Sequence, residues 1–279
     1  MSKPKYVTSP DGTTIAYQTI GSGPGLVVLS GAVLHPNGYK KLSRILGRSF
    51  AVHVVHRRGR GLSGPQGSNY SIEKECDDVI SVLDATQSHR LFGHSFGALL
   101  AVETARREPA VLERVVAYDP ALTFDKHELA DFLPEFADAV ARRHYGRALT
   151  SIQRGLDVGG RLDRLPARAA ICANWLLTAT VSRAIRPILP TVIAEVGAAF
   201  TPATAPEAFR TISADALVLI GEHSPPWLKD HGAAVASAAA SAQLRTMPGL
   251  DHNGPLLKPD RVAAVSTPFL LGRSGRSRQ

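Results

Sequence analysis

Apolar and polar positions along this chain follow two periods in turn. The short, continuous apolar run at residues 26–30 reads as a strand buried on both faces; 50–56, 89–93, 114–118 and 216–220 read as further strands, and 243–247 as a last one. Residues 5–8 and 14–19 flank the Pro10-Asp11-Gly12 turn and read as two further strands. Between the runs, the period lengthens to that of a helix. Over 71–86, Ile72, Cys76, Val79, Ile80 and Leu83 share one face, Ser71 is placed to cap it, and Glu73 and Glu75 lie in or near the first turn. Residues 96–106 are apolar nearly all round, as a buried helix is, and 259–271 opens on a proline suited to a first helical turn. Strands alternating with helices predict an α/β fold with a mostly parallel, eight-stranded sheet flanked by helices.

The alternation stops between about 121 and 206, where only helical patterns occur, at 125–142, 167–184 and 190–200, punctuated by Pro134, Pro166, Pro187 and Pro190. The predicted organisation is a core in two parts, 1–120 and 207–271, with a helical cap or lid over 121–206 and a flexible tail over 272–279. A structural helical layer without a lid function is the other reading of the insertion. Its apolar positions Ile171, Trp175, Leu176, Leu177, Ile188 and Leu189 favour a hydrophobic ligand, with Trp175 a candidate contact, although helix packing alone also asks for such residues.

Composition changes this picture little. The chain has 279 residues, 44% of them hydrophobic, which suffices for a sizeable core. Cys76 and Cys172 are the only cysteines, far apart in helical patterns, so neither a disulfide framework nor a cysteine metal site is expected. No stretch reaches the length of an apolar membrane span, and residues 1–6 form no signal-like run; a cytoplasmic protein without a membrane partner is the expectation. The formal net charge of +8 is scattered apart from Arg57, Arg58 and Arg60 and a basic tail. With no accompanying nucleic-acid motif, the charge reads as solvated surface, and the expected partner is a small-molecule substrate.

Gly93-His94-Ser95-Phe96-Gly97 matches G-x-S-x-G. In a chain of this length the pattern arises by chance roughly one time in ten, but here a strand leads in and a buried helix leads out. A serine on that tight turn needs small neighbours two residues to either side, and the helix N-terminus behind it favours developing negative charge. The chain thereby resembles the α/β-hydrolase superfamily of esterase- and lipase-like serine hydrolases, over nearly its whole length outside the insertion and tail. His56-Arg57-Arg58-Gly59-Arg60-Gly61-Leu62-Ser63-Gly64 is similar to a loop that in many relatives begins with Asp; that acid is usually structural, so His56 bears on packing more than on chemistry.

The resemblance implies Ser95 as nucleophile and His252, in Pro248-Gly249-Leu250-Asp251-His252-Asn253 between the last strand and last helix, as general base. It implies an oxyanion hole from the backbone N–H groups of Phe96 and of Ala32 in the loop after the third strand. The acid is open. Relatives commonly carry it where this chain has Ser224. Asp119, at the end of the sixth strand, is preferred; Glu222 and no acid at all remain alternatives. His35 and His94 are further candidate substrate contacts. Gly59, Gly61 and Gly64 spell G-x-G-x-x-G, but no helix opens directly after them, so no dinucleotide is expected. His53 and His56 fall on opposite strand faces, which argues against chelation. The expected activity is hydrolysis of an ester, thioester or lactone through an acyl-enzyme, with no metal or cofactor. A serine at the elbow argues against dehalogenase and epoxide hydrolase chemistry, which need a carboxylate there. Lyase, cyclase or cofactor-free peroxidase chemistry, and a non-catalytic ligand receptor, are the remaining readings.

Overall fold

The computed structural model describes residues 2–122, 124, 131–179, 183–200 and 205–272. Its eight strands are β1 (Lys5–Thr8), β2 (Thr14–Ile20), β3 (Gly25–Leu29), β4 (Ala51–His56), β5 (Arg90–His94), β6 (Arg114–Tyr118), β7 (Asp215–Gly221) and β8 (Ala242–Met247). They form one sheet in the order β1-β2-β4-β3-β5-β6-β7-β8. β1 and β2 pair antiparallel, as do β2 and β4, and every pairing from β4 to β8 is parallel.

The continuous apolar runs have a simple cause. On β3, Val27 and Leu29 enter one core while Leu26 and Val28 enter the other. On β7, Val218 and Ile220 face the first core, Leu217 and Leu219 the second. Successive side chains point to opposite faces, and helices cover both, so these two strands are apolar on both faces. The first core is closed by α2 (Ile72–Thr86), α3 (Phe96–Arg107) and α8 (Pro226–Ala238), through Val79, Leu99 and Val235. The second is closed by α1 (Lys40–Leu46) and α10 (Pro259–Leu270), through Leu42, Leu46, Val262 and Phe269; the short α9 (Gly254–Leu257) leads into α10.

Between β6 and β7 come α4 (Leu133–Ala141), α5 (Tyr145–Gly155), α6 (Ala167–Ala179) and α7 (Leu189–Ala199). Of the helix expected over 125–142, residues 125–130 lie outside the described residues, as do 180–182 of the one expected over 167–184 and 273–279 of the tail. α5 was not anticipated, and neither were α1 and α8. The inserted helices build a third apolar cluster, with Phe136, Leu149, Ile188, Val192 and Val196 buried, and Ala32 and Val33 of the loop after β3 pack against it. The insertion therefore sits on the loop that runs beside Ser95. Among the described residues, no helix is long and apolar enough to cross a membrane.

Candidate active site

β5 ends at His94 and α3 begins at Phe96, so Ser95 alone makes the turn from strand to helix. It does so at φ +57° and ψ −123°, a region that non-glycine residues avoid and that is held only when the surroundings enforce it. The enforcement is visible: Ser95 N–H donates to the Tyr118 carbonyl at 2.9 Å, and the Ser95 carbonyl accepts from Ala121 N–H at 3.2 Å. A Cβ added to Gly97 would lie 2.5 Å from the Leu29 carbonyl oxygen, so the helix can approach β3 only with glycine there. Gly31 is less tight but still close, since its Cβ would meet the Ser95 Cβ at 3.1 Å. The loop carrying Ala32 is thus brought directly against the serine.

Asp119 follows β6 at φ +46°, is fully buried, and its N–H donates to the Leu219 carbonyl at 2.8 Å. Its carboxylate has three hydrogen-bond partners. Oδ1 accepts from Gly221 N–H at 3.0 Å; Oδ2 accepts from Ser224 Oγ at 2.5 Å and lies 3.0 Å from His252 Nδ1. Because the carboxylate can only accept, His252 Nδ1 carries the proton, and Nε2 is the nitrogen with a free lone pair. Ser224, where relatives commonly place the acid, instead gives its hydroxyl to Asp119. Glu222 is half exposed and accepts from Gly249 N–H at 2.6 Å, away from the imidazole.

His252 is itself held from behind. His94 Nε2 donates to the His252 carbonyl at 2.7 Å, so His94 Nδ1 must be the acceptor of the Tyr39 hydroxyl, 2.5 Å away. The Tyr39 oxygen in turn accepts from Gly31 N–H at 3.1 Å. One unidirectional chain of hydrogen bonds thus runs from the Ala32 loop to the His252 loop through His94. Burial, and next the nearby His252, hold His94 well below its ordinary pKa, so the ring stays neutral and the chain keeps its direction. His94 was a candidate substrate contact; both of its nitrogens are committed within the protein and the side chain is 1% exposed, so it supports the site from below instead.

Trp175 also departs from expectation. It lies on α6, where a Cβ on Gly146 of α5 would meet its Cβ at 2.8 Å, and its side chain is 60% exposed. An exposed indole faces solvent and not an enclosed ligand, so it is set aside as a substrate contact. His35 accepts from Asn37 N–H at 3.1 Å and lines a cavity of about 370 Å³ with Arg60, Ser63, Pro187 and Ile188. His56 is held within the protein: its Nδ1 accepts from Leu62 N–H at 3.2 Å and its Nε2 faces Gln18 Oε1 at 3.3 Å. The glycine loop closes on itself, with Gly59 N–H donating to the Gly64 carbonyl at 2.7 Å. Among the described residues, no cluster of three or more His, Cys, Asp or Glu side chains is arranged to hold a metal ion.

The structure thus brings together a serine at positive φ between strand and helix, an imidazole on a buried carboxylate, and the edge of an eight-stranded, mostly parallel sheet. The chain belongs to the alpha/beta hydrolase family, whose model matches residues 26–265. Over 92% of its length it is 24% identical to 2-(acetamidomethylene)succinate hydrolase of Mesorhizobium japonicum, covering 91% of that protein. Over 40% of its length it is 30% identical to pimeloyl-[acyl-carrier protein] methyl ester esterase of Nitrosospira multiformis, spanning only 44% of that relative. An α/β hydrolase of Sphaerobacter thermophilus superposes on 95% of the chain and 99% of its own, with a TM-score of 0.79 and 27% identity.

Proposed function

We propose that this protein is a serine hydrolase that cleaves an ester, thioester or lactone of a small to medium hydrophobic substrate through an acyl-enzyme at Ser95. The observation that carries the reading is the 3.0 Å contact between Asp119 Oδ2 and His252 Nδ1 at the sheet edge where Ser95 makes its strained turn. In this account, His252 Nε2 takes the Ser95 proton as Oγ attacks the substrate carbonyl. The Phe96 and Ala32 N–H groups receive the oxyanion, and Asp119 stabilises the imidazolium. The imidazolium then protonates the leaving group. Water, deprotonated by the same imidazole, releases the acid product and restores Ser95.

The insertion's apolar cluster packs against Ala32 and Val33 beside the serine, which supports a hydrophobic group on the substrate. The esterase among the relatives supports an ester, and the relative matched over most of the chain is named for an acetamido substrate, so amides belong in the same trial. Turnover of short p-nitrophenyl esters and anilides tests the reading. Saturable release of p-nitrophenol from the esters or p-nitroaniline from the anilides, lost on removal of His252, is expected; binding without turnover of any of them would turn the reading towards a ligand receptor.

A further inference from the structure

Four ionised side chains are buried together between the insertion and the core. Arg57 and Arg60, on the loop after β4, are 1% and 2% exposed; Glu75 of α2 is 1% and Glu195 of α7 is fully buried. Arg57 Nε donates to Glu75 Oε2 at 2.8 Å and its Nη2 to Glu75 Oε1, while the Tyr70 hydroxyl donates to the same Oε1 at 2.8 Å. Glu195 Oε1 accepts from Arg60 Nη2 and lies 3.1 Å from Arg57 Nη2. Two cations and two anions balance. Glu195 is the one member that the insertion supplies.

The cluster reaches the peptide that carries one candidate oxyanion donor and the side chain of the residue that carries the other. Arg60 Nη1 donates to the Gly31 carbonyl at 2.7 Å and, at 3.4 Å, to that of Leu34. The Gly31 carbonyl and the Ala32 N–H belong to one peptide group. A trans peptide is planar, so its C=O and N–H point in opposite directions, and fixing one aims the other. The remaining hold on that carbonyl is a long 3.4 Å bond from Leu34 N–H. On the other side, the Arg57 guanidinium lies 4.4 Å over the Phe96 ring, and its Nη1 reaches the Ser30 carbonyl at 3.4 Å.

We propose that Glu195 is a positioning residue for the oxyanion hole: by holding Arg60 against the Gly31 carbonyl, the inserted helix α7 aims the Ala32 N–H at the reacting carbonyl. This rests on the reading of Ser95 as an acyl-transfer nucleophile. Stability alone is a poor reason for the cluster. Buried ion pairs seldom outdo apolar packing of the same volume, and here Arg60 Nε and Glu195 Oε2 are buried without a hydrogen-bond partner among the described residues. The geometry instead links a helix of the insertion to the peptide that carries one of the two oxyanion donors.

The test compares Glu195→Gln with the apolar pair Arg60→Met/Glu195→Leu, on a short p-nitrophenyl ester. Melting temperature and inhibition by a trifluoromethyl ketone, which forms a tetrahedral oxyanion adduct on serine, are read alongside. Removing one oxyanion donor outright costs about 10²–10³ in kcat. A donor left in place but badly aimed should cost part of that, so Glu195→Gln is expected to lower kcat by about 10-fold or more, with KM nearly unchanged and ketone affinity falling in proportion. The apolar pair should melt at or above the wild-type temperature and still show the kcat and ketone losses. Recovery of kcat together with melting temperature in the pair, or an unimpaired Glu195→Gln, would overturn the proposal and leave the cluster a packing device. A wild-type protein that neither turns over the ester nor binds the ketone would overturn the functional reading, and this inference with it.

Discussion

Ser224 Oγ lies 2.5 Å from Asp119 Oδ2, across from the imidazole of His252 on the same oxygen. The position after β7 where relatives commonly carry the acid and the position after β6 that carries one here converge on a single spot. The carboxylate has come from the neighbouring strand, and the hydroxyl at the usual place has become its hydrogen-bond donor. Asp119→Asn is therefore expected to lower kcat by about 10⁴, because an amide offers its NH₂ or a weaker acceptor and no longer fixes the Nδ1–H tautomer. Ser224→Ala keeps the charge and loses one of its bonds, so kcat should fall far less, while stability drops by about 1–3 kcal/mol. Glu222→Gln, away from the imidazole, should change kcat little. Steady-state kinetics on the three variants check the ranking; a larger loss in Glu222→Gln than in Asp119→Asn would move the acid to the seventh strand.

The chain Gly31 N–H to Tyr39 to His94 to the His252 carbonyl predicts what Tyr39→Phe does. The substitution keeps the ring and strands two buried groups, the Gly31 N–H and the His94 Nδ1. Each such group costs about 1–3 kcal/mol. Urea unfolding should show a loss in that range or up to twice it, with a kcat decrease because both loops bordering Ser95 lose their shared brace. A variant as stable and as active as the wild type would mean that the chain is dispensable.

The buried histidines set a pH dependence of folding. Burial, and next the neighbouring His35, hold the His56 pKa down from 6.5 to about 4; burial also lowers His94 and His53. Below about pH 6.5 the unfolded chain therefore binds more protons than the folded one, and stability falls with falling pH, for His56 until about pH 4. Its full share is at most about 3 kcal/mol. His56→Asn, whose amide can still serve Leu62 N–H and Gln18, should flatten the decline. Equal slopes for variant and wild type between about pH 7 and about pH 4.5 would contradict this.

What the sequence disclosed follows from which interactions are local. Strands such as Arg114–Tyr118 are apolar on both faces because both faces are covered, and that is written in consecutive residues. The Ser71 cap is equally local, its Oγ accepting from Lys74 N–H at 3.3 Å. Helix α1 has only seven residues, and α8 is rich in alanine and carries a glycine, so neither shows a strong period. In the site, Ser95 is legible because the strained turn imposes glycine two residues away on each side. The partners of Asp119 are not, since Ser224 and Gly221 lie more than a hundred residues along the chain and carry no pattern of their own. Arg60 looked like surface charge for the same reason: Glu195, which pairs with it, is 135 residues away.

The account stands on Ser95 as a nucleophile activated by His252. Labelling by a fluorophosphonate, read as a mass increase on the intact protein and mapped to a peptide, measures this most directly. The wild type should take up one equivalent on Ser95. Ser95→Ala, with an unchanged circular dichroism spectrum and melting temperature near that of the wild type, should take up none. His252→Ala should be labelled far more slowly. Undiminished labelling of Ser95→Ala, or labelling mapped to another residue, would contradict the assignment of the nucleophile and the mechanism built on it.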